Sequence, residues 1–149
     1  MTRDSRKTLA FWDSSALVPL CVQQTNSSRA GAEFRTFSPV VWWGTRVEIQ
    51  SAIYRLYREK AISGAAKIHA VSRLASLISS WREILPADEV RMAALEILEK
   101  YPLRAADTWQ LAASLIWCDQ HPARRTFISA DRRLATAARS VGFTVVELT

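Results

Sequence analysis

Short apolar runs that stop abruptly at polar residues alternate with longer stretches whose apolar positions recur every three or four residues. The first run, Leu9–Trp12, carries no charge and ends at Asp13-Ser14-Ser15. It predicts a strand, followed by a short helix that opens at Ser14 or Ser15 and reaches about Val22. Pro19 limits that helix, because a proline beyond the first turn removes a backbone donor. Gln23–Ser28 reads as a loop and Arg29–Arg35 as a second short helix. Phe37–Trp42 is the second strand, and Pro39 within it points to an edge position or a late start.

From Thr45 the period becomes helical, with Ile49, Ile53, Leu56 and Tyr57 expected on one buried face. Gly64 interrupts it, and Ala65–Ser80 forms another helix with Ile68, Val71, Leu74, Leu77 and Ile78 on one side. Trp81–Leu85 is a short strand candidate, and Asp88 is placed to cap a helix carrying Val90, Ala94, Ile97 and Leu98. A further helix after Pro102 carries Leu111, Ala112, Leu115 and Ile116. Thr126–Ser129 is a strand, Asp131–Val141 a helix stopped by Gly142, and Thr144–Leu148 a last strand, a βαβ ending. Such alternation predicts a layered α/β domain with a parallel sheet.

Composition adds limits. The 149 residues fit one domain with a sizeable core, 1–149, with no internal repeat, linker or low-complexity segment. No apolar run approaches the roughly 20 residues that span a bilayer, and the apolar part of MTRDSRKTLAF is too short for a signal peptide. A cytoplasmic location is expected, with no membrane partner. Cys21 and Cys118 lie far apart, as reduced core residues do, and His69 and His121 are equally isolated. Zinc-type sites and histidine or cysteine catalysis are therefore disfavoured. The net charge of +6, mostly from arginine, is compatible with a polyanionic partner, since guanidinium forks match phosphate oxygens.

The acids sharpen the picture. Asp13 and Asp131 each end an apolar strand and begin a helix, so each can serve as an N-cap. In an open parallel sheet, however, ligands bind at the carboxyl ends of strands, and the two would meet there if the first and fourth strands were neighbours. Asp107, four residues before Leu111, is placed on the inward side of its helix unless it too serves the helix terminus. Glu48 stands between Val47 and Ile49 with no basic residue on its face, although Arg46 could reach it. Clustered carboxylates repel unless protonated or bridged by a cation. Oxygen ligands without histidine or cysteine favour magnesium or manganese, ions that act on phosphate substrates.

Four segments then carry a family resemblance: Asp13-Ser14-Ser15-Ala16-Leu17, Val47-Glu48-Ile49-Gln50-Ser51-Ala52, the run from Leu103 to Ala112 around Asp107, and Ile128-Ser129-Ala130-Asp131-Arg132-Arg133-Leu134. In order and spacing they resemble the successive motifs of PIN-domain proteins, and more narrowly VapC-type toxins of bacterial toxin–antitoxin pairs. The resemblance covers nearly the whole chain. It implies a three-layer α/β/α domain around a parallel sheet of four to five strands. It further implies a magnesium- or manganese-dependent endoribonuclease whose metal site maps onto Asp13, Glu48, Asp107 and Asp131. Ser15 would support the first acid by hydrogen bonding, and Ser129 would assist near the last. Water attack on phosphorus would leave a 5′-phosphate and a 3′-hydroxyl. The implied partners are an RNA substrate, a small antitoxin and a second copy of the chain in a homodimer. Trp42, Trp43 and Trp81 could stack on bases or receive an antitoxin helix, with burial as the plainer role.

Two other readings remain. A PIN-like module could hold RNA or a protein without cutting. A phosphatase of the haloacid-dehalogenase type also begins with an aspartate after its first strand, but it needs a second aspartate where this chain has Ser15.

Overall fold

The computed structural model describes residues 7–148; residues 1–6, the charged start of the segment weighed as a signal peptide, lie outside them. The chain runs β1 (Thr8–Trp12), α1 (Ser14–Cys21), α2 (Ser27–Thr36), β2 (Phe37–Trp42), α3 (Thr45–Arg58), α4 (Gly64–Ile78) and β3 (Arg82–Ile84). It continues through α5 (Asp88–Lys100), α6 (Ala105–Trp117), β4 (Thr126–Ser129), α7 (Arg132–Val141) and β5 (Thr144–Glu147). All neighbouring strands pair in parallel, in the order β3-β2-β1-β4-β5. β1 and β4 are therefore neighbours, with Trp12 opposite Ile128. The chain builds outward from β1 to β3 and then returns to β1's other side, so a topological switch point lies between β1 and β4. Among the described residues, no helix is long and apolar enough to cross a membrane.

Period-two alternation along the strands separates two cores. Phe11, Val40, Trp42 and Phe127 face a core built with α5, α6 and α7. Ala10, Trp12, Val41 and Ile128 face the opposite one, built with α1 to α4. Both faces of the sheet are covered, which is why its strands read as continuous apolar runs. Phe11 stacks on Phe127 at 5.4 Å between ring centroids, tying the two central strands together.

Several expectations change in detail. β2 lies inside the sheet; Pro39 is tolerated because β3 pairs with β2 only from Val40 onward, so at Pro39 the strand has one neighbour. α1 runs past Pro19 to Cys21. Asp88 does not cap α5: Ala87 holds that position, and Asp88 pairs instead with Arg91 at 3.2 Å. Tyr57, Ile68 and Leu98, expected on buried faces, are exposed. Trp42 and Trp81 are buried, Trp42 stacking flat on Trp109 at 5.3 Å, and of that trio Trp43 alone is exposed.

Two glycines have definite steric work. A Cβ at Gly44 would stand 2.7 Å from Trp42 Nε1, so the backbone can turn over the indole and start α3 only without a side chain. Gly142 ends α7 at φ 118°, a left-handed stop that favours glycine.

Candidate metal centre at the strand ends

Asp13 is the first residue after β1, and its backbone N–H bonds to Ile128 O of β4 at 3.1 Å. That bond places it at the switch point, where it is 2% exposed. Its Oδ1 accepts from Ser15 Oγ at 2.7 Å and from the Ala16 N–H at 3.2 Å. Ser129 Oγ donates to its Oδ2 at 3.1 Å. Asp13 thus caps α1 as its position suggested, yet capping alone needs no such burial. Burial pushes its carboxyl up to about 7, against the lowering pull of Ser15, Ser129 and the Ala16 N–H, with Asp107's charge adding to the rise. Ser15 also receives the Ala130 N–H at 2.9 Å, so one hydroxyl joins the first acid to the loop that carries the last.

Glu48 sits in the first turn of α3, half-buried. Gln110 Nε2, from α6, donates to its Oε1 at 2.9 Å, and Ser14 Oγ donates to the same oxygen at 3.3 Å. Gln110 Nε2 also reaches Thr45 Oγ1 at 3.0 Å. Arg46 is exposed and forms no ion pair with Glu48 among the described residues. Burial raises the Glu48 carboxyl above its ordinary value, opposed by Gln110 and Ser14 and reinforced by Asp107.

Asp107 lies in the first turn of α6, half-buried, and accepts no hydrogen bond among the described residues; Arg104 holds the cap position. It is not a capping residue. Its carboxyl is raised by burial and then by Asp131, and lowered by Arg104 and Arg133. Asp131 caps α7 by accepting the Leu134 N–H at Oδ1, 3.0 Å. Asp107 and Asp131 both line a cleft of about 810 Å³ between the starts of α6 and α7. Asp13 and Glu48 do not line it.

The four acids therefore meet electrostatically through one of them. Asp107 raises both Asp13 and Glu48 and is itself raised by Asp131. Among the described residues no three histidine, cysteine or acidic side chains close into a ready-made coordination group. The donor chemistry nonetheless fits a hard divalent ion: all ligands are oxygen, and such an ion keeps several waters and needs only one or two direct carboxylates. A positive charge among these acids would also relieve the repulsion on Asp107, which Arg104 and Arg133 offset only in part.

Gln110 lies within the sequence motif around Asp107 and is a further site residue. Its signal is a long amide between Trp109 and Leu111 in a helix of mostly small and apolar residues, and it is 1% exposed. A buried amide needs partners, and Glu48 and Thr45 supply them to Nε2 while Oε1 has none. Ser14, expected only as a helix start, is another such residue. His69 and His121 stand apart from all four acids in the chain's hydrogen-bond network, His69 accepting from Arg73 Nε on α4.

A five-stranded parallel sheet between two helical layers, with acids at its carboxyl edge, defines a PIN-like α/β/α domain. Solved structures share this fold. A toxin–antitoxin complex from Klebsiella pneumoniae superposes with a TM-score of 0.64 at 16% identity, covering 94% of this chain and 98% of its own. PAE2754 from Pyrobaculum aerophilum gives 0.61 at 20% identity, covering 93% and 90%. FitAcB from Neisseria gonorrhoeae gives 0.63 at 16% identity, covering 93% and 97%. No protein-family model matches the sequence, and no curated protein matches it significantly. The likeness is one of fold, in agreement with the PIN-like resemblance of the four motifs.

Proposed function

We propose that this chain is a magnesium- or manganese-dependent endoribonuclease that acts as the toxin of a toxin–antitoxin pair. The observation that carries the reading is that Asp13 and Asp131 follow the neighbouring strands β1 and β4 and are joined through Ser129, which bonds to both, with Asp131 and Asp107 lining one cleft and Glu48 tied to α6 by Gln110. The four would hold the ion. When bound, it supplies charge stabilisation at a phosphoryl oxygen and acidifies a water.

The chain's own residues do the positioning. Ser15 and Ser129 fix both oxygens of Asp13, and Gln110 with Ser14 fixes Glu48. Fixed carboxylates need no reorganisation when charge develops at the reacting phosphate. Asp131 keeps Oδ2 free of hydrogen bonds and faces the cleft, where it can orient an attacking water and accept its proton. The water oxygen bonds to phosphorus as its proton passes to Asp131, and the bond from phosphorus to the 3′-oxygen breaks, the departing oxygen taking a proton from solvent. A 5′-phosphate and a 3′-hydroxyl result.

The likeness in fold to a toxin–antitoxin complex supports the toxin role and a small antitoxin as inhibitor; a homodimer as the working form and the cytoplasm as the setting are further parts of the proposal. The test is incubation of purified protein with RNA, with magnesium or with chelator. Cleavage should require the metal and vanish in Asp13→Asn and Asp131→Asn. Activity that survives chelation, or unimpaired variants, would overturn the mechanism.

A further inference from the structure

The cleft beside Asp107 and Asp131 carries more positive charge than those two acids account for. Arg104 stands at the cap position of α6, and Arg132 and Arg133 are the first two residues of α7. All three line the cleft, all three are exposed, and their guanidinium groups form no hydrogen bond or ion pair among the described residues.

Helix stability does not explain this placement. The start of a helix carries partial positive charge and favours acids, so arginines there are mildly unfavourable. Arg104 also leaves the first turn of α6 without a side-chain acceptor, where serine or aspartate would cap it. Nor does neutralisation of Asp107 explain it. Arg104 and Arg133 lower that carboxyl electrostatically, yet neither comes within ion-pair distance of it. Two helix starts of thirteen and ten residues thus converge with three unsatisfied forks on one concavity.

Resting on the ribonuclease reading above, we infer that Arg104, Arg132 and Arg133 form a phosphate clamp for the RNA backbone. The clamp takes a phosphate next to the one cut and so sets how the strand lies across Asp107 and Asp131. Guanidinium forks match phosphate oxygens bidentately, and the two helix starts add to the local positive potential. The clamp reads backbone and not base, so it contributes affinity and register without sequence preference.

The experiment measures binding of a fluorescently labelled 12-nucleotide single-stranded RNA by anisotropy, in chelator, across a salt series. The background is Asp13→Asn, a position that does not line the cleft. Arg104→Ala and Arg133→Ala should each weaken binding about threefold to tenfold and flatten the salt dependence by roughly 0.7 per lost phosphate contact. Arg133→Lys should recover the salt slope but only part of the affinity, because charge returns without the fork. The folded state is checked by thermal melting, which should not move, since these arginines are exposed and unpartnered.

Alanine variants that bind with parental affinity and slope would overturn the clamp, as would a background protein that does not bind the RNA. The two readings fail separately. If the parent cuts RNA with magnesium while the arginine variants bind unchanged, the clamp is wrong and the nuclease stands. If the arginine effects appear but no condition gives cleavage, the phosphate contacts of these arginines stand, while the nuclease, and with it the clamp's place beside a cut phosphate, is wrong.

Discussion

Asp13 and Asp131 occupy equivalent places, each ending a strand and capping the next helix, yet their surroundings differ sharply. Asp13 is 2% exposed and has both oxygens engaged by Ser15, Ser129 and the Ala16 N–H. Asp131 faces the cleft, has one oxygen engaged and lies beside Arg132 and Arg133. Glu48 belongs with Asp13, held by Gln110 and Ser14, and Asp107 belongs with Asp131. The comparison separates a rigid pair that fixes geometry from an open pair that meets substrate. Asp107 joins them, because its charge acts on both members of the rigid pair.

The largest expected effect breaks that joint. Asp107→Asn should lower RNA cleavage by at least about a hundredfold, as loss of a single electrostatic group at a reacting centre does, while raising the melting temperature at neutral pH, because burial and Asp131 disfavour its charge. Next comes the anchor of the rigid pair. Gln110→Leu should reduce cleavage about tenfold to a hundredfold, the range for residues that orient a metal ligand. It should also raise the metal concentration needed for half-maximal rate, while Gln110→Glu should not restore it. A purely structural role for Gln110 would lower stability and leave the metal dependence alone.

The rigid pair also predicts a pH dependence of stability. Asp13 is raised to about 7 in the folded chain, while an unfolded aspartate sits near about 3.9. Between those values the unfolded chain has lost a proton that the folded one keeps, so stability falls as pH rises from about 4 to 7 and levels above. Glu48 and Asp107 are raised too and have the same sign. In chelator, Asp13→Asn should therefore be more stable than the parent at pH 8, by on the order of 2–4 kcal/mol at most. The two should converge near pH 4, as checked by denaturant melts. Ser15→Ala should cost about 1–2 kcal/mol, since it removes one bond to Asp13 and leaves the Ala130 N–H without its acceptor. The smallest effect belongs to Arg46→Ala, which should change stability by less than about 0.5 kcal/mol, because the arginine is exposed and holds nothing.

The sequence disclosed the layers because both faces of the sheet are covered and each strand is an uninterrupted apolar run. It disclosed the acids because each stands where an apolar pattern breaks. Asp13 caps α1 through the Ala16 N–H, and its role toward a metal belongs to the proposal. Contacts between distant segments were not legible. Gln110 and Glu48 lie 62 positions apart, and no local pattern pairs an amide on α6 with a carboxylate on α3. Pro39 misled for a related reason: its tolerance depends on how short β3 is, a property of another segment. Tyr57, Ile68 and Leu98 are exposed although their spacing matches the buried positions of their helices, since periodicity gives a stripe and not its width.

The central claim is that four acids from separate segments form one cation site through Asp107. Titration of manganese into the protein, followed by electron paramagnetic resonance of the free ion, tests it most directly and without any substrate. The parent should remove manganese from solution, and Asp13→Asn, Glu48→Gln, Asp107→Asn and Asp131→Asn should each weaken that uptake, Asp107→Asn most of all. Uptake by Asp107→Asn equal to that of the parent would contradict the account.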